Sequence, residues 1–365
     1  MKTLQIGSKE IGPGLRPLVI AEMSGNHNGS LATALQIVRS AAASGADAIK
    51  LQTFSPGTLT IDSRRPEFFI DDPGSLWHAR RLWELYEEAH TPWDWHAPIF
   101  DLARSLGLAC ISTAFDDSSV RFLESLEVDA LKVASFELIH LPLLAAVARG
   151  GRPVLLSTGM ATLEEIEAAV TTLRIHGCEG PVLLKCTSAY PAVERDADLA
   201  TLPDLRARFG CQVGLSDHTL RPLVAFAAAA LGAVVIEKHV TIARSAGGVD
   251  AAFSLEPAEL RELVDGVAQV HESLGEVNYG PRDVEATSLR ERPSIYVVQP
   301  MRKGDRFTVE NVRIIRPSSG LAPAHLDEIL GLRCARDVAE PLPLSWDLVE
   351  GCPEAIVDSI RAGRK

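Results

Sequence analysis

Two histidines, His218 and His239, end two apolar runs in the stretch GLSDHTLRPLVAFAAAALGAVVIEKHVTI, with one helix-length segment between them. If these runs are neighbouring parallel strands, which lie about 4.8 Å apart, two side chains at matching heights can share one ligand. Imidazole is a common ligand of divalent metals, so the spacing suggests a metal site. A lone histidine in a strand is more often structural, and it is the pair that favours the metal.

Eight short apolar or β-branched runs alternate with helix-like segments from residue 17 onward. The runs are PLVIAEMS, ADAIKLQTF, LACISTAF, ALKVASFE, PVLLSTGM, VLLKCTSAY, VGLSDHT and VVIEKHVTI. The first intervening helix is expected to begin after the N-cap Ser30 and to end near Gly45. Eight βα units in about 260 residues predict an α/β fold of the (β/α)8 TIM-barrel type.

Each predicted strand ends in polar residues, and the carboxyl ends of barrel strands form the catalytic face. The pairs are Glu22 and Asn26, Lys50 and Gln52, Ser112 and Thr113, Lys132 and Ser135, Ser157 and Thr158, Lys185 and Thr187, Ser216 and His218, and Glu237 and His239. This is more polar surface than a plain barrel core would hold. We therefore expect an active site at this face.

Lysine usage points to an anion at that site. Four of the lysines, Lys50, Lys132, Lys185 and Lys238, lie within apolar runs, and a lysine is rarely buried without a partner. Alternation places Lys238 opposite His239, so the alternative for this lysine is the helix layer, paired with a carboxylate. Asp217 also points away from His218 and is expected to be structural.

The combined chemistry indicates addition to a carbonyl by a phosphorylated anionic donor. Lysines with serine and threonine hydroxyls suit a phosphate or carboxylate, and a metal would polarise an oxygen. Glu22 could serve as a base or orient water.

The rest of the chain bounds the class of protein. A net charge of -12 argues against nucleic acid or an anionic membrane as partner. Six cysteines without CxxC pairing, no apolar leader and no run of about 18 apolar residues predict a soluble cytoplasmic protein. The amino terminus reads as a hairpin around Gly7 and Ser8.

Three further segments complete the predicted organisation. Residues 55 to 95 form an insertion holding four of the five tryptophans, which either shapes substrate specificity or is a helical excursion with aromatic anchors. A barrel domain is expected over residues 1–275, a linker over 276–293, and a small β-rich domain over 294–365.

The motifs resemble those of the sialic acid synthase family, enzymes that condense phosphoenolpyruvate with an amino sugar. They occur in family order: IAEMSGNHNGSL, GADAIKLQTF, LKVASFE, LLSTGM, CTSAYP, GLSDHT and EKH. The carboxyl-terminal region resembles the antifreeze-like (SAF) domain. TPWDWHAPIF, SGNHNGS and GGVDAAFSLEP are most similar to the branch that forms pseudaminic acid, which implies a bis-acetamido trideoxy-altrose as substrate.

The resemblance implies a role for each matching residue. His218 and His239 would bind manganese or magnesium, and Glu22 would assist proton transfer and water attack. The residues implied to hold phosphoenolpyruvate are Lys50, Lys132, Ser135, Ser157, Thr113, Ser188 and Ser216. Those implied to contact the sugar are Gln52, Tyr190 and Asp250.

Arg316 matches the family arginine that the SAF domain delivers to the active site of a partner subunit, which implies a domain-swapped homodimer. Two alternatives stay open. The sugar could be the precursor of N-acetylneuraminate or of legionaminic acid, or the barrel could be an inactive sensor of sugar or phosphoenolpyruvate. Against the sensor stand Glu22, the lysines and the histidine pair together, since binding alone needs no water-activating glutamate.

Overall fold

The computed structural model describes residues 2 to 351 and resolves into two units. The first unit ends at Gly275 and the second begins at Glu276. Within the described residues, no helix combines the length and apolar character needed to cross a bilayer. Five cysteines in that range are free thiols, and Cys352 lies outside it.

A short antiparallel hairpin opens the first unit. Strands β1 (Leu4–Ile6) and β2 (Lys9–Ile11) are joined by a turn at Gly7 and Ser8, as predicted. Gly7 has a φ of +58°, a left-handed conformation that favours glycine. Ile6 and Ile11 are fully buried and cap the apolar interior of the barrel that follows.

Eight parallel strands form the closed barrel. They are β3 (Leu18–Glu22), β4 (Ala48–Thr53), β5 (Ala109–Ala114), β6 (Ala130–Val133), β7 (Val154–Ser157), β8 (Val182–Cys186), β9 (Gln212–Asp217) and β10 (Val235–His239). Each strand pairs with the next in sequence, and β10 closes the ring on β3. The predicted TIM-type barrel is confirmed.

Helices cover the outside of the barrel. They are α1 (Leu31–Ala43), α2 (Pro56–Leu59), α3 (Leu82–Ala89), α4 (Trp93–Ser105), α5 (Asp117–Ser125), α6 (Leu141–Arg149), α7 (Leu163–Ile175), α8 (Thr201–Phe209), α9 (Leu223–Ala230) and α10 (Pro257–Leu274). The first helix has the predicted cap, because the Ser30 hydroxyl accepts a hydrogen bond from the Thr33 amide at 3.3 Å. Gly45 follows its end with a φ of +84°.

Alternation along the strands sorts side chains between the interior and the helix layer. The amino-terminal half of the interior is apolar and includes Ile20, Ala48, Ile111, Leu155 and Leu184. Their sequence neighbours pack outward against the helices, among them Val19, Ile49, Cys110, Leu156 and Leu183. The polar interior positions are therefore confined to the carboxyl ends of the strands.

The tryptophan-rich insertion runs between β4 and β5 and includes α2, α3 and the start of α4. Trp93 stacks on Phe122 with ring centroids 4.6 Å apart, and Trp95 meets His27 edge to face at 5.5 Å. For these two residues the anchoring interpretation is confirmed. Trp77 differs, because it reaches the mouth of the barrel.

The second unit contains a small three-stranded antiparallel sheet. Its elements are α11 (Ala286–Leu289), β11 (Ser294–Val297), β12 (Val312–Ile315), α12 (Leu326–Ile329) and β13 (Leu342–Pro343), with β11 central. Ile295, Phe307, Leu344 and Leu348 form its buried core. The small β-rich unit expected from the sequence is present.

Candidate active site

Lys50 is the centre of a buried charge cluster at the carboxyl ends of the strands. Its Nζ lies 2.9 Å from Oε2 of Glu22 on β3 and 3.3 Å from Oε1 of Glu237 on β10. It also donates a hydrogen bond to the Thr113 hydroxyl at 3.1 Å. Burial opposes the charge on Lys50, but the two carboxylates outweigh it and raise the pKa of the lysine. Lys50 therefore stays protonated.

The two carboxylates beside Lys50 differ in acidity. Burial raises the pKa of Glu22, and the neighbouring charge of Glu237 adds to that effect. Burial also opposes ionisation of Glu237, but Lys50 and Lys132 outweigh it and lower its pKa. Two carboxyl groups whose pKa values are pushed apart suit one fixed negative charge and one proton acceptor. Of the two, Glu22 is the group whose pKa is raised.

Glu22 is oriented by its neighbours as well as by Lys50. Its Oε1 accepts hydrogen bonds from the Ser24 amide and from Nε2 of Gln52, each at 3.1 Å. The Ser216 hydroxyl donates to Glu237 at 3.0 Å. These contacts bring the expected site residues Gln52, Thr113 and Ser216 into the cluster around Lys50.

Lys132 is a second buried cation, and it has a different environment. Its Nζ donates to the Ser157 hydroxyl at 2.7 Å and to the Val133 carbonyl at 3.0 Å. Within residues 2 to 351, no carboxylate lies within 4.0 Å of this nitrogen. Burial lowers the pKa of Lys132 accordingly. A buried cation without a carboxylate partner is a natural place for a bound anion.

Hydroxyl groups line the space beside Lys132. The Gly159 amide donates to the Ser135 hydroxyl at 3.1 Å. A Cβ at position 159 would collide with the hydroxyls of Ser135 and Ser188, so glycine is required there. The Ser188 hydroxyl is buried without a hydrogen-bond partner among the described residues. An anion with several oxygens fits this set of unsatisfied donors.

The histidine pair lies at the same face: His218 directly follows β9, and His239 ends β10. The ring centroids of His218 and His239 are 5.3 Å apart. Nδ1 of His218 donates to the Thr187 carbonyl at 2.9 Å, because a carbonyl can only accept. That bond leaves Nε2 of neutral His218 free to bind a metal, as in many metal sites.

Electrostatics distinguish the two histidines. Burial opposes a charge on His218, but the Cys186 sulfur and the Thr187 carbonyl outweigh it and raise its pKa. For His239, burial and the charges of His218 and Lys50 act in the same direction and hold the pKa well below its usual range. His239 is therefore neutral, the form that coordinates metals.

The residues present fit an open divalent-metal site. Nδ1 of His239 is buried and has no hydrogen-bond partner within residues 2 to 351, and Oδ2 of Asp250 lies 3.7 Å away from it. In the described part of the chain, no three His, Cys, Asp or Glu side chains converge as a metal cage. Two histidines would therefore leave positions for water or substrate oxygens, as catalytic sites require.

Aromatic rings and one loop surround the histidines. The ring of Tyr190 lies 4.4 Å from that of His218, and the ring of Phe253 lies 5.0 Å from that of His239. Asp250 accepts a hydrogen bond from the Ser24 hydroxyl, and burial raises its pKa. The predicted sugar contacts Tyr190 and Asp250 thus lie beside the predicted metal ligands.

Two of the expected polar residues do not join the site. The interior position on β8 is Cys186, whose Sγ lies 3.9 Å from Nδ1 of His218. Lys185 shares the outer face with Leu183, and its Nζ donates to the Cys186 carbonyl at 3.2 Å. Ser112 also points outward, where its hydroxyl meets that of Thr53 at 2.7 Å. The expectation that Lys185 and Ser112 converge at the mouth is wrong.

The interpretation of Lys238 as a helix-layer residue is confirmed. Its Nζ lies 2.9 Å from Oδ2 of Asp217, and both side chains are almost fully buried. Asp217 is accordingly structural, as expected from its position opposite His218. This buried ion pair joins β9 to β10 next to both histidines, because Asp217 precedes His218 and Lys238 precedes His239.

The structure adds site residues that sequence reasoning left without a role. Cys186 contacts His218, which together with the Ser135 hydroxyl outweighs burial and lowers the pKa of the thiol to about 7. Glu137 follows β6 in a short 3-10 turn, and burial raises its pKa to about 7. Because both faces of β8 are apolar, no signal in the sequence indicated Cys186.

Arg316 belongs to the second unit, directly after β12, and its side chain is exposed. Its predicted role in the site of a partner subunit stays a prediction.

Comparisons with known proteins agree with this arrangement. Residues 37–279 match the NeuB family, and residues 292–350 match the SAF domain. The pseudaminic acid synthase of Campylobacter jejuni is 39% identical over 338 residues, which cover 92% of this chain and 96% of that protein. The N,N'-diacetyllegionaminic acid synthase of Legionella pneumophila is 35% identical over 353 residues, which cover 94% of this chain and 98% of that protein.

A solved structure extends the likeness to three dimensions. The N-acetylneuraminic acid synthetase of Leptospira borgpetersenii is 29% identical, with a TM-score of 0.70 over 79% of this chain and 95% of its own. The resemblance to sialic acid synthases is therefore confirmed. With the family match over most of the barrel and relatives more than 30% identical along nearly their whole length, the chain belongs to the NeuB family.

Proposed function

We propose that this chain is a pseudaminic acid synthase, which condenses phosphoenolpyruvate with a bis-acetamido trideoxy-altrose and releases phosphate. The observation that carries the proposal is the pairing of a buried, carboxylate-free Lys132 with the Glu22–Lys50–Glu237 cluster at one barrel mouth. Lys132 suits the binding of an anion, and the Glu22–Lys50–Glu237 cluster suits a proton transfer. The similarity to the C. jejuni synthase supports the choice of sugar.

Phosphoenolpyruvate would lie across the two lysines. Lys132 and the hydroxyls of Ser135, Ser157 and Ser188 would hold one anionic group. Lys132 is bonded to Ser157, and the hydroxyls of Ser135 and Ser188 meet beside Gly159. Lys50, Thr113 and Ser216 would hold the other anionic group, at the same mouth of the barrel. Charge-assisted hydrogen bonds of this kind are roughly twice as strong as neutral ones.

Charge balance supports a metal at His218 and His239. Phosphoenolpyruvate carries a carboxylate and a phosphate, about -3 in total. The positive charges of Lys50 and Lys132 are offset by those of Glu22 and Glu237 when both carboxyls are ionised, so binding requires further positive charge. Bound manganese or magnesium would provide that charge and polarise the aldehyde oxygen of the open-chain sugar.

The protein's own groups would handle the protons and the geometry. The third carbon of phosphoenolpyruvate forms a bond to the aldehyde carbon, and a water oxygen adds to the second carbon. Glu22, whose pKa is raised, would take the proton of that water. The former aldehyde oxygen takes up one proton and becomes a hydroxyl, which balances the proton given to Glu22. The tetrahedral adduct then breaks its carbon–oxygen bond to phosphate, its remaining hydroxyl proton leaves with the phosphate, and a 2-keto acid is left.

The sugar would lie between the histidines and the surrounding loops. Gln52, Tyr190 and Asp250 are the side chains proposed to contact it, and they line the mouth beside His218 and His239. Arg316 of a second copy of the chain would complete the site in a domain-swapped homodimer. The proposed location is the cytoplasm, where phosphoenolpyruvate is made.

A sugar comparison tests the proposal. Phosphate release is measured with phosphoenolpyruvate and each of three sugars: the altrose derivative, the legionaminic acid precursor and N-acetylmannosamine. We expect release only with the altrose derivative, and only without chelator. Equal turnover of N-acetylmannosamine would refute the sugar assignment, whereas no turnover with any sugar would favour the sensor alternative.

A further inference from the structure

The loop of residues 70–80 is a closed excursion of the insertion, and one of its side chains turns inward. Phe69 and Arg81 form a β-bridge at its base. The Ile70 amide donates to the Arg80 carbonyl at 3.0 Å, and the Ala79 amide donates to the Ile70 carbonyl at 2.8 Å. Most of the loop is exposed, but Trp77 is half-buried. A tied loop with one inward indole can hold that ring in a fixed place.

Trp77 contacts the loop that carries Asp250. Its Nε1 donates a hydrogen bond to the Val249 carbonyl at 2.9 Å. Its ring centroid lies 5.6 Å from that of Tyr190 and 6.4 Å from that of Phe253. Tyr190 and Phe253 in turn contact the rings of His218 and His239. One side chain of the insertion thus reaches both the loop and the aromatic surroundings of the histidines.

The segment next to Val249 needs such an anchor. Gly247 and Gly248 have φ values of +77° and +127°, and the stretch from Ser245 to Gly248 is exposed. A glycine pair is flexible. Nδ2 of Asn28 holds the stretch by donating to the Gly247 carbonyl at 3.2 Å, but that bond lies before Val249. Val249 lies against Gly25, where any side chain would collide with it. The Trp77 hydrogen bond and this contact together fasten the end of the flexible stretch.

We propose that Trp77 is a positioning residue that determines sugar specificity. It latches Val249, which holds the adjacent Asp250 beside His239, and with Tyr190 and Phe253 it forms an aromatic wall at the mouth. An aromatic wall favours an apolar sugar face, such as that of a deoxy sugar, over one carrying a hydroxyl. This inference rests on the proposed function for its substrate, and on geometry alone for the latch.

The experiment compares Trp77→Phe with Trp93→Phe in the full chain. Trp93 is the matched control, because its Nε1 donates to the Phe54 carbonyl at 3.3 Å and its ring stacks on Phe122 in the helix layer. Each substitution removes one indole hydrogen bond to a backbone carbonyl and keeps an aromatic ring. A third variant, Trp77→Ala, removes the wall as well.

Hydrogen exchange of the ligand-free protein, measured by mass spectrometry, tests whether the hydrogen bond from Trp77 to the Val249 carbonyl holds this segment. We expect Trp77→Phe to speed exchange within residues 243–252 by about 3- to 10-fold, the effect of one lost hydrogen bond. We expect Trp93→Phe to leave that segment unchanged. Unaltered exchange in Trp77→Phe would overturn the latch, whatever the activity of the protein.

Steady-state kinetics measures the effect of each variant on sugar specificity. We expect Trp77→Phe to raise KM for the altrose derivative by about 3- to 10-fold and to leave KM for phosphoenolpyruvate within about twofold. We expect Trp77→Ala to raise the KM for the altrose derivative further. It should also reduce the ratio of kcat/KM for the altrose derivative to kcat/KM for N-acetylmannosamine. Equal increases in both KM values would overturn the specificity role. A wild-type protein inactive with every sugar would refute the proposed function, while exchange still decides the latch.

Discussion

Nζ of Lys132 lies 2.7 Å from the hydroxyl of Ser157, and that hydroxyl is its closest side-chain partner. Lys50, the other buried lysine of the interior, is held between two carboxylates. The two lysines therefore differ in role. Lys50 is paired with the carboxylates, and Lys132 remains available to an anion. The free energy that Lys132 loses by burial is recovered when that anion binds.

Replacing Lys132 should separate stability from binding. We expect Lys132→Met to raise the free energy of unfolding of the ligand-free protein by about 1 kcal/mol or more, because burial of the lysine charge outweighs its attraction to Glu237 and lowers the pKa of Lys132. The same change should abolish the rise in Tm that phosphoenolpyruvate causes in the wild type. Urea unfolding and thermal melts with and without phosphoenolpyruvate measure both effects.

Lys185 provides the matched control for that experiment. It carries the same side chain two strands further on, at β8. Within residues 2 to 351, the one hydrogen bond of its Nζ goes to the Cys186 carbonyl. Lys185→Met should retain the phosphoenolpyruvate-dependent rise in Tm. Loss of that rise in both variants would contradict the assignment of the anion to Lys132.

Glu22→Gln should act on turnover rather than on binding. The amide keeps the size of the side chain and the hydrogen bond from the Ser24 amide, but it cannot take a proton. We expect kcat to fall by about 100- to 10,000-fold, the usual contribution of a general base, with KM for phosphoenolpyruvate changed by less than about threefold. Phosphate-release kinetics at saturating sugar measure the two parameters. A variant with near-normal kcat would remove Glu22 from the mechanism.

The barrel could be predicted because its signals are local. Eight apolar runs, six of which follow a helix that ends near a glycine such as Gly45, mark the βα units without reference to tertiary contacts. Lys238 could be assigned to the helix layer because His239, beside it in the same strand, defined the opposite face. Period-two alternation was sufficient there.

Other parts of the site could not be predicted, for physical reasons. In VLLKCTSAY both faces of the strand are apolar, so no alternation marks which face is interior. A shift of one residue exchanges Lys185 for Cys186 at the mouth. Trp77 and Glu137 lie in a loop and a 3-10 turn, which have no regular periodicity. The hydrogen-bond partner of Trp77 is Val249, 172 residues further along the chain. Sequence spacing carries no information about those contacts.

His239→Ala should remove metal binding and leave the fold intact. The side chain lies at the mouth beside Phe253 and supplies one of two proposed protein ligands. We expect affinity for Mn²⁺, measured by titration calorimetry, to fall by more than the 10- to 100-fold typical of losing an outer hydrogen-bond partner. His140→Ala, at an exposed histidine before α6, should bind the ion normally. Unchanged Mn²⁺ affinity in His239→Ala would remove the metal proposal.

Glu137 should make the protein less stable as pH rises. Burial raises its pKa from 4.5 to about 7, so between these values the folded state binds a proton that the unfolded state has lost. Stability due to this group is therefore fully present below about pH 4.5, falls through pH 7 and is constant above it. Glu137→Gln removes this pH dependence. At pH 8 its free energy of unfolding should exceed that of the wild type by up to about 3 kcal/mol.

Urea unfolding at pH 5 and pH 8 checks that prediction. At pH 5 the variant and the wild type should differ little, because folded Glu137 is protonated and as neutral as glutamine. At pH 8 the folded wild type buries a carboxylate whose Oε2 has no hydrogen-bond partner within residues 2 to 351. The free energy of unfolding of the wild type should then fall below that of Glu137→Gln. Glu179→Gln, at an exposed position, should show the same small difference at both pH values. A constant gap for Glu137→Gln would mean that this carboxyl ionises alike in the folded and unfolded chain.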